Sequence, residues 1–512
     1  MVQTAATGQL GAPARRGRWA GLTAVLIAEA MNLLDATVVQ VAGPRIHADL
    51  GGSLSDIQWY SAAYTLAFAA ALITGGRLGD IAGRKRAFQV GLAGFTLMSA
   101  ACAVAPSPAL LITFRFAQGA AAAAVIPQTM GLIRTMYSGD ELGKALSNIG
   151  PVMGVTGLAG PVIGGLIVHA DLLGSSWRGV FLVNVPIAVA VLAMSRKLPD
   201  SHAPRRPRLD LTGTLLVVAG SGLVIYPLIG AGSGRLTARA LALIGAGIIV
   251  LAGFCVYQRY LARAGREPLV EPSLFASRQF PAALVTSTLY FAVVTGLTLA
   301  ISLQLQLGLG ATALTAGLTL VPLSAASAIG SLASGRYLLR RLGTRRMFAA
   351  GLSIQMAGLG AAIAVYHGTA PPAYPWPLLI ALGLAGAGGG LFTTPFFTAA
   401  LHQVSPQETG SAAGLLNAVQ QFGGTLGLAI LGSVYLLGAG TTAASSLAAI
   451  QHALWTAIAL LAGTAVAAAV MTSRPRPASG VRQHGGPGQM EQPAGGRARR
   501  PAPRAQKGET DE

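Results

Sequence analysis

Apolar residues fall into fourteen windows of about twenty, the length that carries a helix across a hydrocarbon core. They lie at about 19–41, 57–78, 87–106, 109–133, 145–168, 179–196, 211–230, 238–258, 280–306, 313–335, 347–366, 377–401, 410–437 and 450–472. The pattern predicts an all-α polytopic membrane protein. Spans 2 and 3 are joined by GRLGDIAGRKR (76–86) and spans 10 and 11 by GRYLLRRLGTRR (335–346), each a Gly-Arg start followed by a basic turn. This faint repeat predicts two six-helix bundles, at 19–196 and 280–472, with two inserted helices at 211–258 between linkers 197–210 and 259–279. An N-terminal segment, 1–18, precedes the first bundle. The tail, 473–512, is rich in Pro, Gly, Arg and Gln, cannot bury a core and is expected to be disordered.

The first window interrupts its own apolarity with two acids, Glu29 and Asp35. An ionised Asp near the middle of a membrane helix costs roughly 2.5–3.5 kcal/mol on insertion scales, so such a residue is a functional candidate by default. At about 100° per residue, Glu29, Asn32, Asp35 and Gln40 share one side of the helix, which therefore reads as lining a cavity.

Composition agrees with the pattern: 53% of residues are hydrophobic, 10% are charged and the mean hydropathy is +0.59. The net charge of +19 does not point to nucleic acid, because the basic residues sit in short clusters between apolar runs rather than on one face. With the N-terminus inside, 31 of the 36 Lys and Arg fall in cytoplasmic segments and only Arg45, Arg178, Arg235 and Arg239 outside. That asymmetry predicts both termini in the cytoplasm of a cell-membrane protein. Trp59, Trp177 and Trp376 stand at outer boundaries, as interfacial aromatics do. The N-terminus superficially resembles a signal peptide, but the apolar run continues past Ala28-Glu29-Ala30, so a retained first helix is expected. Cys102 and Cys255 lie inside apolar runs and support no disulfide. No Cys/His cluster has metal-ligand spacing, no catalytic constellation is visible, and no Walker A sequence suggests ATP-driven transport.

Four motifs carry the chemistry. Gly76, Asp80, Gly83, Arg84 and Lys85 form G-x-x-x-D-x-x-G-R-K at a helix junction, where Asp80 can latch one conformation by pairing with an Arg or a helix N-terminus; the plain alternative is a basic turn. In span 4, Arg115 and Gln118 lie well inside the membrane, where a guanidinium needs a carboxylate, carbonyl or water partner. Span 5 holds Gly160-Pro161-x-x-Gly164-Gly165, small residues that let helices pack closely around a bend. The stretch L-Asp35-A-Thr37-V-V-Gln40-V-A-Gly43-Pro44 follows Glu29. Tyr64, Asn417 and Gln420 are further polar groups within spans, able to line a cavity or to glue helices together.

Taken together, these motifs resemble those of the major facilitator superfamily, and within it the fourteen-helix drug:proton antiporter family, over about residues 19 to 472. WRGVFLVNVP (177–186) and GSAAGLLNAVQQFGGTLGLAI (410–430) add to the likeness. Departures are Ile81 for Arg and Leu339 for the acid in the second basic loop, and Gln40 and Gly43 for the usual Asn and Leu. The resemblance implies a secondary exporter driven by the proton gradient, without a bound cofactor, acting on an amphipathic or cationic drug-like or antibiotic molecule amid membrane lipids. It assigns proton coupling to Asp35 and Arg115, a conformational latch to Gly76, Asp80, Gly83 and Arg84, and an exporter motif to Gly160, Pro161, Gly164 and Gly165. Glu29, Asn32, Tyr64, Gln118, Asn417 and Gln420 are expected substrate contacts. Proton-symport uptake of a small nutrient, and a non-transport membrane sensor or enzyme, are the alternatives.

Overall fold

The computed structural model describes residues 15–171, 174–201, 209–230, 237–369, 374–402, 404–405, 408–440 and 442–473. The N-terminal residues 1–14, most of the first linker (202–208) and the tail beyond Ser473 lie outside the described residues. Among those described there is no strand.

The first helices run α1 (Arg15–Leu50), α2 (Leu54–Ala82), α3 (Arg84–Ala103), α4 (Pro108–Met136), the short α5 (Gly139–Ser147), α6 (Ile149–Ala170), α7 (Gly179–Leu182) and α8 (Asn184–Ser195). Then come α9 (Leu211–Gly230) and α10 (Ala238–Arg263). The remainder is α11 (Gln279–Leu303), α12 (Ala313–Thr319), α13 (Val321–Ala333), α14 (Leu339–Gly368), α15 (Leu378–Leu401), α16 (Thr409–Gly438) and α17 (Ala443–Met471). Local chemistry sets the ends. α1 runs past its expected boundary because Pro44 fits within it and Ile46 is still fully buried, and it stops where Gly51 and Gly52 take positive φ of 70° and 93°. Ser53 then caps α2, its backbone N–H donating to Asp56 Oδ2 at 2.7 Å.

Twelve helical runs among the described residues are long and apolar enough to cross a membrane, against the fourteen expected. Two features make the difference. The helix Arg84–Ala103 is 20 residues long but opens on three basic residues, which dilute its hydropathy. The run 313–368 is a single stretch of 56 residues, about 84 Å at 1.5 Å per residue against a hydrocarbon core of roughly 30 Å. It is broken at Gly343, where φ is +74° and ψ 162°.

Apolar packing is uneven along the bundle. At the end away from the basic loops, Val38, Ile46, Ile57 and Tyr60 of the first half share one core cluster with Leu299, Leu303, Leu428 and Leu431 of the second. Toward the basic end the first half has a cluster of its own, around Leu22, Phe68, Phe88 and Leu132. A Cβ added at Gly150, Gly154, Gly410 or Gly414, all near that end, would meet nothing within 4 Å. The halves are therefore joined at one end and parted at the other. The helices α9 and α10 cross closely, a Cβ at Gly247 falling 2.7 Å from the Gly220 carbonyl oxygen, as small residues in membrane helices allow.

Candidate functional site

Asp35 of α1 and Arg115 of α4 form an ion pair, Nη1 to Oδ2 at 2.5 Å, and neither side chain has any exposure. The pair is held from four helices. Arg115 and Gln118, three residues apart on one face of α4, form a ring with the acid: Arg115 Nη1 donates to Gln118 Oε1 at 2.7 Å, and Gln118 Nε2 donates to Asp35 Oδ1 at 3.0 Å. Asn184, the first residue of α8, also donates to Asp35 Oδ1, at 2.8 Å, and to Ser99 Oγ on α3 at 3.1 Å. Arg115 Nε donates to the Tyr60 carbonyl at 2.8 Å. Its guanidinium carbon stands 4.3 Å from the Tyr64 ring centre and 5.7 Å from that of Phe181, so aromatic faces take part of the charge. Desolvating two ions costs several kcal/mol each, and such a pair persists only when its geometry and remaining hydrogen bonds are satisfied. Here the carboxylate accepts three donors, while Arg115 Nη2 has no hydrogen-bond acceptor among the described residues.

Glu29 lies six residues earlier on α1, about 9 Å along the axis. It is 9% exposed and touches Thr129 of α4, with Oγ1 2.6 Å from Glu29 Oε1. Between the acids, Asn32 Oδ1 accepts the Tyr64 hydroxyl at 2.5 Å.

The expected substrate contacts thus divide. Gln118 has no exposure and spends its amide on the ion pair, and Tyr64 is fully buried beneath Arg115. Both belong to the frame of the charge cluster rather than to an open surface. Asn417 is exposed on α16 and Gln420 half-buried, away from that cluster.

At the basic loop, Arg84 Nη2 is 3.4 Å from Asp80 Oδ1, while its backbone N–H donates to the Ser201 carbonyl at 3.0 Å. Gly83 links α2 to α3 at φ +94°. Close packing beside this loop comes from Gly75 and Gly79 rather than from Gly76. A Cβ at Gly76 would be an ordinary 3.5 Å from Pro127, whereas one at Gly75 would run into the Ala123 carbonyl and one at Gly79 into the Gln128 amide. Gln128 Nε2 also donates to the Gly75 carbonyl at 2.8 Å.

In α6 the paired glycines face different neighbours. A Cβ at Gly160 would strike the Thr37 hydroxyl, and one at Gly164 would be 2.9 Å from Val38 Cγ1, so this face seats α6 on α1. A Cβ at Gly165 would lie 2.6 Å from the Ala313 carbonyl oxygen and 2.7 Å from Leu314 Cα, across the seam on α12. The Pro161 carbonyl closes the same seam against Gly317. Elsewhere the seam is made of uncharged contacts: Gln306 Nε2 donates to the Val41 carbonyl at 2.9 Å, Thr425 Oγ1 to Thr65 Oγ1 at 2.8 Å, and Ser433 Oγ to Gln58 Oε1 at 3.3 Å.

Sequence reasoning did not assign Asn184, Ser99 or Thr129. Asn184 carried a signal, since it stands inside WRGVFLVNVP; a serine and a threonine within apolar helices carry none.

Many apolar helices, two halves meeting at one end, and a fully buried ion pair inside the first half mark a polytopic membrane protein of the two-bundle transporter type. The chain matches the family model described as Major Facilitator Superfamily over residues 25–428, and it belongs to that family. It is 42% identical to the "Probable actinorhodin transporter" of Streptomyces coelicolor, over 85% of this chain and 75% of that protein. It is 35% identical to "Puromycin resistance protein pur8" of Streptomyces alboniger, over 89% of this chain and 90% of the relative. Among solved structures, a bacterial homolog of the human lysosomal transporter Spinster, in an inward-facing and unoccupied conformation, superposes with a TM-score of 0.63. It is 16% identical and covers 90% of this chain and 97% of that one.

Proposed function

We propose that this transporter is a drug:proton antiporter that expels amphipathic, antibiotic-like compounds across the cell membrane, with the proton gradient as its energy source and no bound cofactor. The observation that carries the reading is the unexposed Asp35–Arg115 pair: a charge cluster placed at such cost inside a transporter has work beyond packing, and protonating its carboxylate would alter the balance that holds α1 to α4. Outward direction is supported by chain-long similarity to proteins named for actinorhodin transport and puromycin resistance, and by the GPxxGG stretch at the seam.

The basic end is the cytoplasmic end by the positive-inside rule, with both termini there. The conformation described is then open to the cytoplasm and shut outside. Opening outward means parting the seam, and each of its uncharged hydrogen bonds contributes only about 0.5–1.5 kcal/mol net. Among the described residues no ion pair joins the two halves. Gly76, Asp80, Gly83 and Arg84 act as the latch at the cytoplasmic ends. Glu29, Asn32, Asn417 and Gln420 are the polar groups offered to the transported molecule, within a membrane whose lipids also bear on the moving helices.

Everted membrane vesicles test the proposal. Energised vesicles should accumulate ethidium or an aromatic antibiotic, and collapse of the pH gradient should release it. Asp35→Asn, expressed at the wild-type level, should lose that uptake. Undiminished uptake by the variant overturns the coupling role of Asp35; lack of gradient-driven uptake across a broad panel of such compounds overturns the export reading.

A further inference from the structure

Glu29 is a buried acid that the ion pair leaves unused, and its contact with Thr129 is informative. The Thr129 oxygen lies 2.6 Å from Glu29 Oε1 and 2.7 Å from the Ile126 carbonyl oxygen. A hydroxyl has one proton to donate, and an ionised carboxylate can only accept. With Glu29 ionised, the single Thr129 proton would have to be shared between two acceptors in a three-centre bond. Each contact becomes a full hydrogen bond when Glu29 carries a proton and donates it to Thr129, whose own proton goes to the Ile126 carbonyl, a usual partner for Thr in a helix.

The charges around it agree. Among the described residues Glu29 has no ion-pair partner, and no charged group acts on it at close range. On α1 itself, Arg18 pairs with Glu141 and Asp35 with Arg115, and Arg45, His47 and Asp49 lie toward the opposite end. From α2, Asp56 sits at the far end, Tyr64 is held by Asn32, and Asp80 faces Arg84. From α4, Arg115 faces Asp35 and Arg134 is exposed at the basic end. The helices α7, α8 and α12 contain no ionisable side chain, α11 has only Tyr290, whose hydroxyl donates to the Gly389 carbonyl, and α6 has only His169 in its last turn.

Access separates the two acids. Asp35 has no exposure, whereas Glu29 keeps 9%. The helix α1 packs against α2, α4, α6, α7 and α8 of its own half and α11 and α12 of the other, so it is an inner helix at the seam between the halves.

We infer that Glu29 is a second proton-carrying site, distinct from the Asp35–Arg115 pair and occupied in the conformation open to the basic end. This rests on the proton-coupled reading above. Release is balanced within the group: the carboxyl proton passes to water, and the Thr129 hydroxyl turns from the Ile126 carbonyl to donate to the new carboxylate. Asp35 stays sealed by its three donors meanwhile.

Infrared difference spectroscopy during a pH titration of the full chain in lipid vesicles tests this without any transported compound. Wild type should show a protonated-carboxyl band at neutral pH that disappears in alkali. Glu29→Gln should lack it, and Asp35→Asn should keep it. In Thr129→Val the band should persist but move to higher frequency, because the carboxyl has lost its acceptor. This last variant keeps the test decisive if Glu29→Gln fails to fold. Absence of the band in wild type, its survival in Glu29→Gln, its loss in Asp35→Asn, or an unmoved band in Thr129→Val each overturns the inference. A failure of export in vesicles would leave the band in place, so the two readings fail separately.

Discussion

Replacing Asp35 by Leu should destabilise the protein more than replacing Arg115 by Met, although both break the same 2.5 Å contact. A guanidinium cannot shed its proton. In Asp35→Leu it stays charged and buried, the Gln118 amide loses its acceptor, and the Asn184 amide is left with Ser99 alone. Unpairing a buried ion costs about 3–5 kcal/mol, and an orphaned buried amide about 1–3 kcal/mol. The losses overlap in one network, so a total near 5 kcal/mol is expected rather than their sum. In Arg115→Met the carboxylate keeps its two amide donors, so a cost at the lower end of the range for an unpaired ion, about 3 kcal/mol, is expected. The double variant buries no charge, and only the amide losses remain, at about 1–3 kcal/mol. Unfolding of the full chain in detergent measures all three. An Asp35→Leu cost equal to or below that of Arg115→Met at neutral pH, or a double variant as costly as the two singles added, would refute the reasoning.

Two further predictions concern packing and anchorage. Gly165→Val should wedge the seam, since its side chain would enter space already filled by the Ala313 carbonyl and Leu314 Cα, at about 1–3 kcal/mol for overpacking. Spin labels spanning the non-basic ends of α6 and α12 should move apart, while Gly154→Val, placed in open space, should leave that distance unchanged; equal behaviour of the two would count against the seam as described. Asp210 accepts from the Gly213 backbone N–H at 2.8 Å and from Gln258 Nε2 at 2.9 Å, and Gln258 Oε1 in turn accepts from the Leu269 backbone N–H at 2.6 Å. Asp210→Ala should therefore cost about 1–3 kcal/mol and speed proteolysis of the segment 264–271. Unaltered cleavage there would mean that the Asp210–Gln258 bridge does not anchor it.

How far the sequence could be read depended on the range of the interaction. Spans were legible because a helix in lipid must satisfy its own backbone and show apolar side chains to the chains around it, both local demands. The windows 313–335 and 347–366 were legible as separate spans on either side of a basic turn, but the break itself, a positive φ at Gly343, is a property of one backbone position and not of a window. The charge cluster was half legible. An acid and an Arg inside apolar runs announce that each needs a partner, but their pairing spans 80 residues.

By itself the sequence determined that this chain crosses a membrane many times, that its basic loops gather on one side, and that its first helix carries two acids inside the apolar zone. Each follows from the high cost of exposing a polar group to hydrocarbon, which single residues already feel. Only the tertiary structure decided that Asp35 is sealed by Arg115, Gln118 and Asn184 while Glu29 meets the Thr129 hydroxyl. It alone decided too that the two glycines ending GPxxGG face opposite partners, one within its half and one across the seam. Those outcomes depend on how helices distant in sequence are rotated against one another, and the hydropathy pattern leaves that rotation open.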